Sequence, residues 1–280
     1  MQKVVNMRTA IVTGGTFGIG MAISLELARR GFRVVAFGLD APQISSIARD
    51  GTQTLRASLQ AEGLDADVME ADVSRAADVE KVVAHTIARY QRIDALVNNA
   101  AIGPLGNVLQ TPEEVWDRVI DVNLKGTYLC CKAVLPQMIE QGGGAIVNIG
   151  SGASWGKPNM AAYSASKGGI LALGAALAYD HFHNHVRVNT VIPGGGGIVT
   201  GMSLGRREGQ NQTPGRGATG TAAGRNASSQ DIANAVAFLL SDDAAVISGT
   251  VLDVGCFAHQ GGPVPAAAAA KPTSPGQMRM

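Results

Sequence analysis

Three residues in the stretch "NIGSGASWGKPNMAAYSASKGG" (148–169) are of types and spacing that can move a proton at an oxygen atom. Tyr163 and Lys167 stand four residues apart, so a helix sets them on one face, one turn from each other. A phenol loses its proton only near pH 10, too high for a useful base near neutrality. An ammonium beside it favours the phenolate and lowers that value. Ser151, twelve residues before the tyrosine, follows an apolar run and can hydrogen-bond the same oxygen. Such a trio suits proton exchange with an alcohol or a ketone. Taken singly, each residue has a plainer reading: a half-buried aromatic, a solvated charge, a turn serine.

A second constellation supplies a partner for that chemistry. In "TAIVTGGTFGIG" (9–20) a β-branched run meets Gly14, Gly18 and Gly20. Glycine is costly in backbone entropy unless the chain needs positive φ or a close approach. Where a strand hands over to a helix, the unpaired N–H groups and the helix dipole make a cradle for a pyrophosphate. The neighbouring Thr16, Phe17 and Ile19 belong to that loop. In dinucleotide folds an acid ending the second strand binds the ribose 2′-hydroxyl. Here that register falls near Gly38, with the acid at Asp40, and no Lys or Arg at Thr16, Phe17, Gly38 or Leu39. The pattern favours NAD over NADP, while Asp40 reads equally as a helix cap. Asp72 can accept a bond from adenine, next to Val73, or can cap the helix that follows.

The elements that must hold these groups are legible from periodicity. Strand-like runs lie at 9–13, 33–37, within 65–73, and at 93–100, 144–151, 186–192 and 249–254, with helix-like segments between them. Ile19, Ile23 and Leu27, then Val79, Val82, Val83 and Ile87, fall at helical spacing. Nearly continuous apolar strands separated by helices imply a parallel sheet covered on both faces. The expected fold is α/β: a doubly wound, seven-stranded parallel sheet of Rossmann type flanked by helices, in a single domain.

These motifs, with "NNAA" (98–101), "VNLKGTY" (122–128) and "VRVNTVIPGG" (186–195), occur in an order that resembles the classical short-chain dehydrogenase/reductases from Arg8 to about Phe257. The resemblance implies a tetrad of Asn123, Ser151, Tyr163 and Lys167. Tyr163 would be the acid/base and Ser151 would position the substrate oxygen. Lys167 would hold the nicotinamide ribose, and Asn123 would anchor a water relay through an irregularity in its helix. It further implies that Asn98, Asn99 and Ala100 line the cofactor cleft, that Ile192, Pro193 and Gly194 border the nicotinamide, and that Thr200 meets its carboxamide. The implied activity is NAD(P)-dependent hydride transfer to or from a secondary alcohol or ketone, in a homo-oligomer, dimer or tetramer. Two other classes compete: a dinucleotide-binding redox sensor without turnover, and an epimerase or dehydratase using the same tyrosine. An intact Ser–Tyr–Lys set speaks against the first, and the lack of a long C-terminal substrate domain against the second.

The remaining sequence bounds the setting. The chain has 280 residues, is 46% hydrophobic and carries a formal net charge of +1, which points to no nucleic-acid or membrane-surface partner. Adjacent Cys130 and Cys131 plus Cys256 form no disulfide framework, which fits a reducing, cytoplasmic compartment. Residues 1–7 read as an extension, and 8–260 as the catalytic domain, with 194–228 as a substrate loop carrying Arg206 and Arg207. Residues 261–280 read as a disordered Pro/Ala-rich tail. Trp155 and Met160 either shape a substrate pocket or pack under their loop. His181, His183 and His185 suggest a metal only superficially, since on a helix end they would not converge; no metal is expected.

Overall fold

The structure, a computed structural model, describes residues 7–40, 51–194, 198, 221–255 and 257. The strands are β1 (Thr9–Thr13), β2 (Arg33–Gly38), β3 (Ala66–Glu70), β4 (Ala95–Asn98), β5 (Gly144–Ile149), β6 (Val186–Pro193) and β7 (Val251–Val254). They form one sheet in the order β3-β2-β1-β4-β5-β6-β7, parallel throughout. The seven-stranded doubly wound sheet is therefore as the periodicity implies. The helices are α1 (Gly18–Arg29), α2 (Gly51–Ala61), α3 (Ala76–Tyr90), α4 (Glu113–Ile120), α5 (Gly126–Glu140), α6 (Ala161–Asp180) and α7 (Ser229–Leu240).

Alternation along β1 explains the two layers. Ala10 and Val12 face a core shared with Ile23 and Leu27 of α1 and Val236 of α7. Ile11 faces the opposite core, with Val79 and Val82 of α3 and Val134 of α5. Both faces of the sheet are covered, which is why its strands tolerate unbroken apolar runs. The chain order reverses between β1 and β4, and in sheets of this kind the ligand crevice lies beyond the carboxyl ends of those strands.

Several strands end sooner than the apolar runs suggest. The run 65–73 yields only Ala66–Glu70, because Asp72 folds its carboxylate back onto Ser74 and turns the chain out of the sheet. Likewise β5 stops at Ile149, two residues before Ser151. The expected extension 1–7, except Met7, most of the loop 194–228 with Thr200, Arg206 and Arg207, and the tail 261–280 lie outside the described residues.

Candidate active site

Tyr163 lies in the first turn of α6 and Lys167 one turn later, and both are buried, with 6% and 2% of their surfaces exposed. The lysine Nζ donates to the backbone oxygen of Ile149 at 2.6 Å and sits 5.8 Å from the centroid of the Tyr163 ring. Burial of the ammonium pulls the Lys167 pKa down to about 8. A lysine offers three donors, and Ile149 takes one. A polar group arriving in the crevice can take another.

Ser151 follows β5 in extended conformation and opens a short 3₁₀ turn, Gly152–Trp155. Its Oγ accepts from the Ala153 N–H at 3.1 Å, which leaves the hydroxyl hydrogen to be donated. Ser154 ties this turn to α6 by donating to the Lys167 carbonyl oxygen at 3.1 Å. Serine, tyrosine and lysine therefore share one corner, built from a strand end and the first two turns of a helix.

Asn123 joins the corner from below. It lies in a π-helical stretch, Asp121–Lys125, where the Gly126 N–H reaches back to the Asp121 carbonyl. Gly126 lets this stretch pack closely on the end of β3, since a Cβ there would stand 2.9 Å from Val73 Cγ2. The Asn123 amide is fully buried and brackets Ile102, accepting from its N–H at 2.8 Å and donating to its oxygen at 2.9 Å. The same amide donates to Ser166 Oγ at 3.0 Å, and Ser166 donates to the Tyr163 carbonyl oxygen at 2.8 Å. Ser166 was not singled out from the sequence, although it stands inside the "YSASK" motif beside Lys167.

The glycine loop is held with comparable care. Gly14 and Gly18 both adopt φ of 57°, a conformation open to glycine at little cost. A Cβ on Gly20 would come within 2.0 Å of the Gly14 oxygen and 2.5 Å of Asn99 Nδ2. Asn99 Nδ2 donates to the oxygens of Thr13 and Gly14, while Thr13 Oγ1 accepts from the N–H groups of Asn99 and Ala100, all near 3.0 Å. Ser24, another residue the sequence did not flag, donates to the oxygens of Gly15 and Gly20. Helix α1 begins at Phe17 with no side-chain cap and no acid in its first turn. Its leading N–H groups and dipole face the crevice uncompensated by any side chain, which fits a pyrophosphate. Thr16 is buried beneath the rim, its Oγ1 3.0 Å from where a Cβ on Gly38 would be.

The other residues expected at the cleft take the following places. Asn98 is turned away from the cleft: its Nδ2 donates to Asn148 Oδ1 at 2.9 Å and to Cys131 Sγ at 3.3 Å inside the sheet. The reason is strand alternation, which sends Asn98 toward α5 and leaves Asn99, beyond the strand end, at the loop. Asp40 Oδ1 accepts from the N–H and hydroxyl of Thr52, so the carboxylate serves the start of α2. Asp72 Oδ1 accepts from Ser74, and Arg118 approaches Oδ2 at 3.4 Å. Burial raises the Asp72 pKa, but those Ser74 bonds and the Arg118 charge outweigh it and hold the carboxyl below its ordinary value. Pro193 ends β6 opposite Val254, with Gly194 half-buried after it and Ile192 fully buried. Trp155 closes the 3₁₀ turn with 44% of its surface exposed. Among the described residues no cluster of His, Cys, Asp or Glu can hold a metal, and His181 bonds Asn184 instead. No helix among them is long and apolar enough to cross a membrane.

Comparison with known proteins agrees with this fold. A family model described as Enoyl-(Acyl carrier protein) reductase matches residues 14–256. The chain is 35% identical over 260 residues to "Dehydrogenase/reductase SDR family member 4" of Sus scrofa, covering 91% of this chain and 88% of the relative. It is 38% identical over 248 residues to "2-(S)-hydroxypropyl-CoM dehydrogenase 3" of Xanthobacter autotrophicus, covering 87% and 93%. A crystal structure of actinorhodin polyketide ketoreductase, solved with NADPH, superposes with a TM-score of 0.78 at 31% identity, covering 89% of this chain and 96% of that one.

Proposed function

The chain belongs to the classical short-chain dehydrogenase/reductase family and is an NAD(P)-dependent oxidoreductase by that membership; from there we propose that it interconverts a secondary alcohol and the matching ketone, with Tyr163 as the acid/base. The observation that carries this reading is the corner that joins half-buried Ser151 to buried Tyr163 and Lys167, beyond the strand ends where the glycine loop lies. A bound nicotinamide supplies the hydride acceptor or donor, which spares the site a metal.

Each residue then has a task. The N–H groups at the start of α1, from Gly18 to Gly20, hold the pyrophosphate, and Asn99 keeps the Gly14 carbonyl in place for them. In the reducing direction Ser151 donates its free hydroxyl hydrogen to the carbonyl oxygen. Tyr163 gives its phenolic proton to that oxygen as negative charge develops there. Lys167 stabilises the phenolate left behind and offers its remaining donors to the nicotinamide ribose. Asn123 holds the tyrosine's helix through Ser166. A water of the relay would meet its backbone oxygen, where Thr127 Oγ1 occupies one of two lone pairs.

NAD(H) is the favoured cofactor. No cation stands at Thr16, Phe17, Gly38 or Leu39, and Asp40 would repel a 2′-phosphate even while capping α2. Ala100, Val73, Asp72, Pro193, Gly194 and Thr200 complete the proposed cleft. Buried, unpaired Cys130 and Cys131 fit a reducing compartment such as the cytoplasm.

Turnover itself separates this reading from its rivals. Purified protein with reduced nicotinamide and a ketone panel is expected to consume cofactor and ketone in equal amounts. A redox sensor would bind the cofactor without turnover. An epimerase or dehydratase would convert substrate with no net change in cofactor.

A further inference from the structure

Resting on the oxidoreductase reading and its dinucleotide cofactor, we propose that Arg118 is a positioning residue for Asp72. It fixes that carboxylate as an acceptor for the exocyclic amine of adenine, so that the cleft prefers a 6-amino purine to a 6-oxo one. Arg118 lies on α4, 46 residues from Asp72 along the chain, and reaches across to the loop after β3. Its Nη2 stands 3.4 Å from Asp72 Oδ2, and its Nη1 donates to Ser74 Oγ at 3.3 Å.

The loop closes around the other carboxylate oxygen. Asp72 Oδ1 accepts from the Ser74 N–H at 2.9 Å and from the Ser74 hydroxyl at 2.6 Å. The Asp72 N–H donates to Asp78 Oδ2 at 3.0 Å, which fixes the backbone as well. Arg75, a nearby cation in the same loop, stands 4.0 Å from Asp78. Oδ2 is therefore the oxygen with acceptor capacity to spare, since the guanidinium takes one of its two lone pairs. The Asp72 side chain is 14% exposed and that of Arg118 51%, so the carboxylate is sheltered but not sealed.

Arg118 is itself held from behind. Helix α4 runs directly into the π-helical stretch that carries Asn123 and then into α5, where Gly126 packs on Val73. This helical body thus meets the loop after β3 at two points, Arg118 on Asp72 and Ser74, and Gly126 on Val73. Without the guanidinium the carboxylate keeps its Oδ1 anchor, but Oδ2 is left to water.

The chemistry sets the selectivity. An ionised carboxylate only accepts hydrogen bonds. The amine at position 6 of adenine donates, whereas the carbonyl oxygen in that place on hypoxanthine would meet Oδ2 lone pair to lone pair. Burial favours a protonated Asp72, but the Ser74 bonds and the Arg118 charge outweigh it and preserve the acceptor-only form.

The test is titration calorimetry on the full chain with reduced NAD and reduced NADP, each against its hypoxanthine counterpart, read on whichever pair binds more tightly. Wild type is expected to prefer adenine by about tenfold or more. In Arg118→Met, checked for native circular dichroism, the preference should fall to about threefold or less, chiefly through weaker binding of the adenine form. Arg118→Lys, which keeps the charge but loses the planar fork, should lie between the two. Equal binding of both purines by wild type, a preference unchanged in the variants, or an equal loss for both purines would overturn the proposal while leaving the oxidoreductase reading intact. Binding of no dinucleotide by wild type would overturn both.

Discussion

At the scale of the residue, the central fact is a charged lysine with almost no exposed surface. Its pKa, lowered to about 8 by burial, has a thermodynamic consequence whose sign can be worked out. The unfolded lysine titrates near 10.4. Between the two values the unfolded chain binds more protons than the folded one, so stability rises with pH across that window. Below about pH 8 the fold carries the full cost of the buried charge. We therefore expect the stability of wild type relative to Lys167→Met to shift in favour of wild type by roughly 3 kcal/mol between pH 7 and pH 10.5. Denaturant unfolding of both proteins across that range measures it; parallel curves would place the ammonium in a wetter setting. Ser166 gives a second prediction at this scale. Ser166→Ala leaves the buried Asn123 amide short of an acceptor and removes the bond to the Tyr163 oxygen. A loss of about 1 to 2 kcal/mol of stability is expected, together with a fall in kcat larger than any change in cofactor affinity.

At the scale of the element, the first strand, the glycine loop and α1 work as one unit. The loop leans on Ser24 from within its own helix and on Asn99 from the end of β4. Gly20→Ala drives a methyl group into the Gly14 carbonyl, where no flexible side chain can give way. It should destabilise the protein by about 1 to 3 kcal/mol and weaken nicotinamide-nucleotide binding at least tenfold; titration calorimetry and thermal unfolding read the two effects. Ser24→Ala, which leaves the loop's shape but removes two of its bonds, should cost about 1 kcal/mol and weaken binding less. The contrast between local and distant signals explains what was legible beforehand. Gly14, Gly18 and Gly20 mark a strand-to-helix handover within twelve residues, and Tyr163 and Lys167 share a helix face by spacing alone. Asn123 reaches Ile102 across 21 residues and Ser166 across 43, contacts that no local period encodes. The bonds of Asn98 to Asn148 and Cys131 were hidden for a related reason. Whether a residue at a strand's end faces the crevice or a neighbouring helix depends on register, and the strand proved shorter than its apolar run.

At the scale of the whole molecule, the doubly wound parallel sheet was implied by the alternation of apolar strands and helices, whereas the surface was not. An apolar groove between α5 and α6 is lined by Tyr128, Leu135, Pro136, Ile139 and Leu177, among others. Tyr128 and Ile139 are notably exposed there. In the sequence those residues are indistinguishable from the core-facing ones of the same helices, because both helices are apolar over most of their circumference. A face of this kind supports the expected self-association. Light scattering should find a dimer or tetramer, and Leu177→Glu should shift it toward monomer while hydride transfer, if the protomer folds, is retained in part.

The measurement that bears most directly on the central claim is turnover by Tyr163→Phe beside wild type, with cofactor binding followed by titration in the same preparations. The ring and its packing are kept, and only the proton-bearing oxygen is removed. The account predicts unchanged nicotinamide binding within a few-fold and a kcat lower by about a hundredfold to ten-thousandfold. A phenylalanine variant that turns over as fast as wild type would contradict it, since the proton must then travel by a route that does not pass through Tyr163.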